Sequence, residues 1–358
     1  MLKNHPRSTT PLIGHRDPIK TCSELLSQDR FPHALLLQGP KGIGKTTFAY
    51  HLIRHLFSRD KNLPIMTPSR EHNGLETFME KFSKATKTSL FKRVQALGHG
   101  DLKVVERVLD DKGKLPRDIS VDQIRKVVSF FALKSMEGGW RIALIDSVDE
   151  MNLQAANALL KILEEPPQKS LLILINHTPG KLLPTLSSRC QKIMFRPLTP
   201  SQTLDVLKEK LPDSADTGTF NPVTLFPGRP GKIVSLLQDP DQDLLETFST
   251  LTKMLVTQDS FNPFPFLDKA LPGRSTEKSA VFLPLAEALL EWLHTLIQEG
   301  LQGILTSPRQ TLFSKKTPHE WSELYIRLSS LFQDTERLSY DPRHILLLAL
   351  MKITHHKK

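Results

Sequence analysis

The chain has 358 residues, enough for two or three domains, and 39% of them are hydrophobic, enough for full cores. Its 48 lysines and arginines against 38 acidic residues leave a net charge of +10, which suits an anionic partner such as nucleic acid or a solvated basic surface. Two cysteines, Cys22 and Cys190, are too few for a four-cysteine zinc site or a disulfide framework; the polar start predicts no signal peptide and no apolar run is long enough to span a bilayer, so the expectation is an intracellular protein with reduced thiols.

Residues 11–31 carry Ile19, Cys22, Leu25 and Leu26 at helical spacing. Pro32, which can neither continue a helix nor donate to a strand ladder, closes that element. Residues 34–37 are a short apolar run suited to a buried strand. Gly39-Pro40-Lys41-Gly42-Ile43-Gly44-Lys45-Thr46 follows and fits G-x-x-x-x-G-K-[ST]. From Thr47 to Leu56 apolar residues recur at helical spacing. Strand, glycine loop and helix form the setting of a phosphate-binding P-loop. Its backbone N–H groups turn inward around phosphate oxygens, and the helix N-terminus adds partial positive charge. Lys45 is expected on the β- and γ-phosphates and the Thr46 hydroxyl on Mg²⁺. Gly39, Pro40, Lys41, Gly42, Ile43, Gly44 and Thr47 are expected to line the nucleotide.

From 58 to 118 the pattern loosens, broken by Pro64, Pro68, Asn73 and Gly74. The reading is an insertion of one or two helices with a lysine-dense, solvated stretch over 79–93. It is expected to close in a hairpin, with arms at 102–109 and 114–119 around Asp110-Asp111-Lys112-Gly113.

Ser120 is the expected N-cap of a helix whose stripe is Val121, Ile124, Val127, Val128 and Phe131. Gly138-Gly139 makes a turn. The run Ile142-Ala143-Leu144-Ile145-Asp146 then ends in a carboxylate. Downstream of a P-loop this is the pattern of a Walker B strand, with Asp146 facing the metal. Ser147 stands where several families of hydrolytic P-loop ATPases place a Glu to polarise the attacking water, and a hydroxyl cannot take that proton at neutral pH. Asp149 and Glu150 read as charge favourable to the N-terminus of the next helix. That helix begins near Asn152, carries Ala155, Ala156, Leu159, Leu160 and Leu163, and ends before Pro166-Pro167. Residues 171–175 are a further buried strand. Asn176 and His177 follow at its carboxyl edge, where a parallel sheet presents ligand-facing groups. One of them senses the γ-phosphate, or the loop caps its own backbone. Ser187-Ser188-Arg189-Cys190 and a last strand over 192–195 complete this part.

The tract over 156–167, ANALLKILEEPP, together with the KLLPT segment and Ser188-Arg189-Cys190, resembles the clamp-loader branch of the AAA+ ATPases. Within it the likeness is to the delta-prime type of subunit of bacterial DNA polymerase III, and it is dense from 12 to 198. The resemblance implies a role for Arg189 as an arginine finger, acting in trans on a neighbouring subunit's nucleotide. It also implies ATP or ADP with Mg²⁺ on Lys45, Thr46 and Asp146. The implied partners are gamma/tau-like ATPase and delta-like subunits in a hetero-pentamer, which would load a sliding clamp at primer–template DNA in the cytoplasm, at the nucleoid. Three departures qualify what carries over. Ser147 replaces the Walker B Glu of the ATPase subunits. The lid helix reads Gly228-Arg229-Pro230-Gly231-Lys232, with Lys232 nearest the place of their sensing arginine. The four-cysteine zinc module of many relatives is absent, so no zinc is expected. The P-loop is nevertheless intact, which implies ATP held with little or no turnover. The alternative is a catalytically active gamma/tau-like ATPase.

Thr199-Pro200-Ser201 opens a further helix with Leu204, Leu207 and Leu211 on its apolar side. After a polar linker over 212–218, residues 225–237 form a second small unit around Gly228. Residues 199–240 thus match a small helical lid domain. From 241 to 358 only helical stripes recur, among them Leu285, Ala288, Leu289, Trp292, Leu293 and Leu296, then Trp321, Leu324, Tyr325, Leu328 and Leu331. The expected architecture is an α/β P-loop domain with a parallel sheet, the lid domain, and an all-α C-terminal domain that the resemblance marks as an oligomerising collar. Trp292 and Trp321 read as core.

Overall fold

A computed structural model describes residues 5–27, 31–58, 82, 88–107, 116, 118–178, 180, 182–211, 223, 226–237, 244–257, 262–271, 275–305, 307–338 and 340–354. The chain divides into two compact units. The first is Met1–Lys210 with Gly228–Gly231; the second is Leu211–Pro227 with Lys232–Lys358.

The first unit is a parallel sheet covered by helices on both faces. Its elements run α1 (Arg16–Leu26), β1 (Ala34–Gln38), α2 (Lys45–Phe57), α3 (Ser89–Gln95), β2 (Leu102–Glu106), α4 (Val121–Ala132), β3 (Arg141–Asp146), α5 (Leu153–Glu164), β4 (Ser170–Asn176), α6 (Pro184–Ser187), β5 (Gln191–Met194) and α7 (Pro200–Lys210). The strand order is β2-β3-β4-β1-β5 and every pairing is parallel. Side chains alternate across a strand, so each buried strand feeds two cores. Leu35, Leu37, Leu144 and Ile173 pack with Cys22 of α1 and Phe48 and Leu52 of α2. Ala34, Leu36, Ile145 and Leu174 pack on the other face with Val127 of α4 and Leu159 of α5. The expected caps are present. Ser120 and Gln123 form a reciprocal capping box at α4, and the Asn152 side chain accepts the Ala155 N–H at 2.8 Å at α5.

Two expectations are corrected. The first arm of the predicted hairpin is β2, an edge strand of the main sheet paired in parallel with β3, with Leu102 opposite Ile142 and Glu106 opposite Asp146. In the second arm Ile119 bridges in parallel to Met151, while the turn at 110–113 lies outside the described residues. Periodicity identifies a strand but carries no information on which neighbour it pairs with. Asp149 and Glu150 do not serve the N-terminus of α5, which Asn152 caps. Asp149 Oδ1 accepts the His177 N–H at 3.1 Å, and Glu150 pairs with Arg107 at 2.6 Å. Of the predicted insertion, α3 is described and most of 59–87 lies outside the described residues, as does the linker over 212–218.

The described second unit is helical. Helix α8 (Pro230–Leu237) enters it from the first unit, followed by α9 (Leu244–Thr257), α10 (Phe264–Ala270), α11 (Ser275–Gln302), α12 (Arg309–Phe313), α13 (Pro318–Leu338) and α14 (Pro342–Thr354). Helix α11 packs along α13, α14 and α9, and Leu289, Leu293 and Leu296 of α11, Leu328 of α13 and Leu346 and Leu350 of α14 are buried. Trp321 is fully buried, donates its indole N–H to the Phe313 carbonyl at 2.9 Å and stacks on that ring. Trp292 is also buried, as expected of core. Among the described residues no helix is long and apolar enough to cross a membrane.

Candidate nucleotide site

The loop between β1 and α2 leaves the carboxyl edge of the sheet between the ends of β4 and β5, where a parallel sheet leaves a crevice. Gly39 starts the loop at φ 150°, and its N–H donates to the Asn176 carbonyl at 3.3 Å. A Cβ at Gly39 would collide with the Phe195 carbonyl, so a side chain there displaces backbone. Gly44 caps α2 in the left-handed region and frees the first N–H groups of the helix.

Lys45, Thr46 and Asp146 meet as expected. Lys45 is buried, and its ammonium donates to the carbonyls of Gly39 at 2.5 Å and Pro40 at 2.6 Å. Burial pulls it down to about 7 against the upward pull of Asp146 and Asp149; Arg229 and Lys41 add smaller downward contributions. The Thr46 hydroxyl donates to Asp146 Oδ2 at 2.8 Å. Burial alone would raise the Asp146 carboxyl. The hydrogen bond and charge of His177, then the Thr46 hydroxyl and Lys45, hold it below its ordinary value.

Asn176 and His177 separate in role. Asn176 ends β4 fully buried; its Oδ1 accepts the Thr178 N–H at 3.0 Å, and its Nδ2 has no hydrogen-bond partner. A buried donor left without an acceptor costs about 1–3 kcal/mol. His177 turns to Asp146 instead, with Nε2 3.5 Å from Oδ1. The residues present therefore fit a nucleotide, and Thr46 with Asp146 fits its Mg²⁺.

Three contacts around the loop were not expected from sequence. His15 Nε2 bonds the Ile43 carbonyl at 2.6 Å, Arg229 Nε donates to the Lys41 carbonyl at 2.8 Å, and the Gly231 N–H donates to the Gly42 carbonyl at 2.8 Å. Their one signal in sequence was the Gly-Arg-Pro-Gly turn. Lys232, named as a possible sensor, is ion-paired with Glu287 in the second unit. Arg189 follows α6, half exposed, pairing with Glu164 at 3.0 Å and donating to the Thr185 carbonyl at 2.9 Å. Cys22 and Cys190 are buried and unpaired, and burial pushes their thiols up to about 12 and about 11. Among the described residues no cluster of three His, Cys, Asp or Glu side chains could hold a metal ion.

The family model for "DNA polymerase III, delta subunit" matches residues 14–199, the stretch that contains this whole arrangement apart from the 228–231 turn. The chain belongs to that family. This delta-family chain is 32% identical over 211 residues to the DNA polymerase III subunit delta' of Pseudomonas aeruginosa, covering 58% of this chain and 56% of that one. It is 31% identical over 187 residues to the subunit delta' of Bacillus subtilis, with 52% and 48% covered. It is also 26% identical over 242 residues to human replication factor C subunit 5, with 66% and 58% covered. The chain thus spans about half the length of the curated relatives it matches.

Proposed function

We propose that this chain is a delta-prime-type clamp-loader subunit of a bacterial replicative polymerase. It holds a nucleotide with little or no hydrolysis and completes a neighbouring ATPase subunit's site with Arg189. In this reading residues 199–240 are the lid and 241–358 the collar of a cytoplasmic hetero-pentamer, with gamma/tau-like and delta-like partners that load a sliding clamp onto primed DNA.

The observation that carries the hydrolytic half is the company of Asp146. Ser147 follows it, buried, and the two carboxylates next in the chain are engaged, Asp149 by the His177 N–H and Glu150 by Arg107. This supports a reading in which residues 147–150 supply no general base for water. Lys45 and the loop N–H groups would hold the phosphates, and Thr46 and Asp146 would hold Mg²⁺, which would supply charge neutralisation there. The support for Arg189 is its half-exposed guanidinium on a surface helix end, tied by an ion pair that solvent screens and a partner can displace.

ATP turnover tests this, measured for the chain alone and mixed with its ATPase partner, clamp and primed DNA. The expected outcome is no turnover alone, turnover in the mixture, and a fall of about 10³-fold or more in the partner's rate for Arg189→Ala with assembly intact. The intact P-loop favours one second reading, a gamma/tau-like ATPase. Brisk turnover by the chain alone, lost in Lys45→Ala, would establish that one instead.

A further inference from the structure

Two elements of the first unit hold the Arg189 guanidinium. Its Nη2 pairs with Glu164 Oε1 at 3.0 Å, and its Nη1 donates to the Thr185 carbonyl at 2.9 Å. Glu164 is the last residue of α5, and Thr185 lies in α6. These helices pack on each other, with Leu159 and Leu163 of α5 and Leu186 of α6 in one core, so both anchors are fixed. The ion pair itself is open to solvent: the Arg189 and Glu164 side chains are 39% and 51% exposed. Charge favours the pairing. The carboxyl end of a helix carries partial negative charge, and Glu164 and Glu165 add two carboxylates there, with Lys161 the basic residue of that last turn. Arg189 brings a second cation to this end. A phosphate that seeks the guanidinium must compete with the Glu164 carboxylate for it.

On the reading above of Arg189 as a finger acting in trans, we propose that Glu164 is its latch. It is a positioning residue that keeps the guanidinium on its own chain until the phosphates of a neighbouring subunit's nucleotide displace the carboxylate. An exposed ion pair is weak enough to be exchanged in this way. Its cost falls on docking and not on the chemistry, because the pair is already broken once the finger lies on the phosphates. Removing the carboxylate therefore strengthens engagement of the neighbour and leaves the neighbour's maximal rate as it was. The Thr185 carbonyl, a neutral acceptor, steadies the side chain without opposing its charge.

The full chain, titrated into its gamma/tau-like ATPase partner with clamp, primed DNA and ATP, tests this. For Glu164→Gln the chain concentration giving half-maximal turnover should fall about threefold, within the range of an exposed ion pair, with the maximal rate unchanged. Anisotropy of a labelled partner loaded with a non-hydrolysable ATP analogue should show the same change in dissociation constant. Made in an Arg189→Ala background, the substitution should leave that constant unchanged, since no guanidinium remains to be released. A shift that persists in the Arg189→Ala background is a general charge effect and overturns the latch. An unshifted titration or a lowered maximal rate for Glu164→Gln overturns it equally. In each of these cases the finger reading stands wherever Arg189→Ala by itself slows the partner. Should Arg189→Ala leave the partner's maximal rate untouched, the finger and its latch fall together.

Discussion

His51 shows how much a single buried side chain of the first unit depends on its surroundings. Its Nδ1 bonds the Phe82 carbonyl at 2.7 Å, and burial pulls the imidazole down to about 4, opposed first by that backbone bond and then by the Thr9 backbone, with Arg54 adding to the fall. The unfolded chain binds this proton below about 6.5, and the folded chain only below about 4. Stability is therefore full above 6.5 and falls as the pH drops from 6.5 towards 4. The expected loss from this residue at pH 5 is about 2 kcal/mol. Urea unfolding at pH 7 and pH 5 checks it: His51→Gln should narrow the difference between the two, and an unchanged difference would place the acid sensitivity elsewhere. His5, His15, His55 and His99 are lowered by burial as well, so the acid sensitivity of the whole unit should exceed that of His51 alone. The residue scale is also where sequence spoke most clearly about the site. Lys45, Thr46 and Asp146 were legible because a P-loop demands those chemistries at fixed spacing, and they meet as expected. The pairing of His177 with Asp146 was not legible, since nothing in a sequence says which way a loop histidine turns.

At the scale of elements, the turn 228–231 and the P-loop are joined backbone to backbone. Gly231 lies so close that a Cβ would stand 2.9 Å from the Gly42 carbonyl oxygen and 3.1 Å from its Cα. Gly231→Ala should push the turn off the loop at a cost of about 1–3 kcal/mol, the usual range for overpacking. Hydrogen exchange reads this directly. The amides of Gly42 and Gly44 should exchange faster in the variant while those of β4 are unchanged. Equal exchange at the loop would mean that the turn does not brace it. Strand and helix positions were legible from periodicity in β1, β3, β4, α4 and α5, each of which buries the face its sequence marks. The edge strand β2 was mistaken for a hairpin arm, because its neighbour in the sheet lies beyond the whole of α4 in the chain.

On the scale of the molecule, two units with separate cores should unfold as two transitions rather than one. Among the described residues Trp321 is the largest fully buried side chain, and it keys α13 to α12 through the Phe313 carbonyl and ring. Trp321→Ala should destabilise the second unit by about 3–5 kcal/mol. Calorimetry should show one transition shifted down and the other unmoved, with nucleotide affinity, which is proposed for the first unit, retained. Loss of nucleotide binding where the second unit alone has melted would show the two to be coupled.

The amino-acid sequence was sufficient for the P-loop, the Walker B carboxylate, the sheet's buried strands and the helical character of the last third. These follow from local rules: glycine's freedom in φ, side-chain period, and the chemistry a phosphate requires. The tertiary structure was needed to pair β2 with β3, to seat His177 against Asp146, and to bring Arg229 across 188 residues onto the Lys41 carbonyl. Contacts of that kind depend on strand order and chain path, which arise from the packing of the whole unit and leave no periodic trace in any one segment.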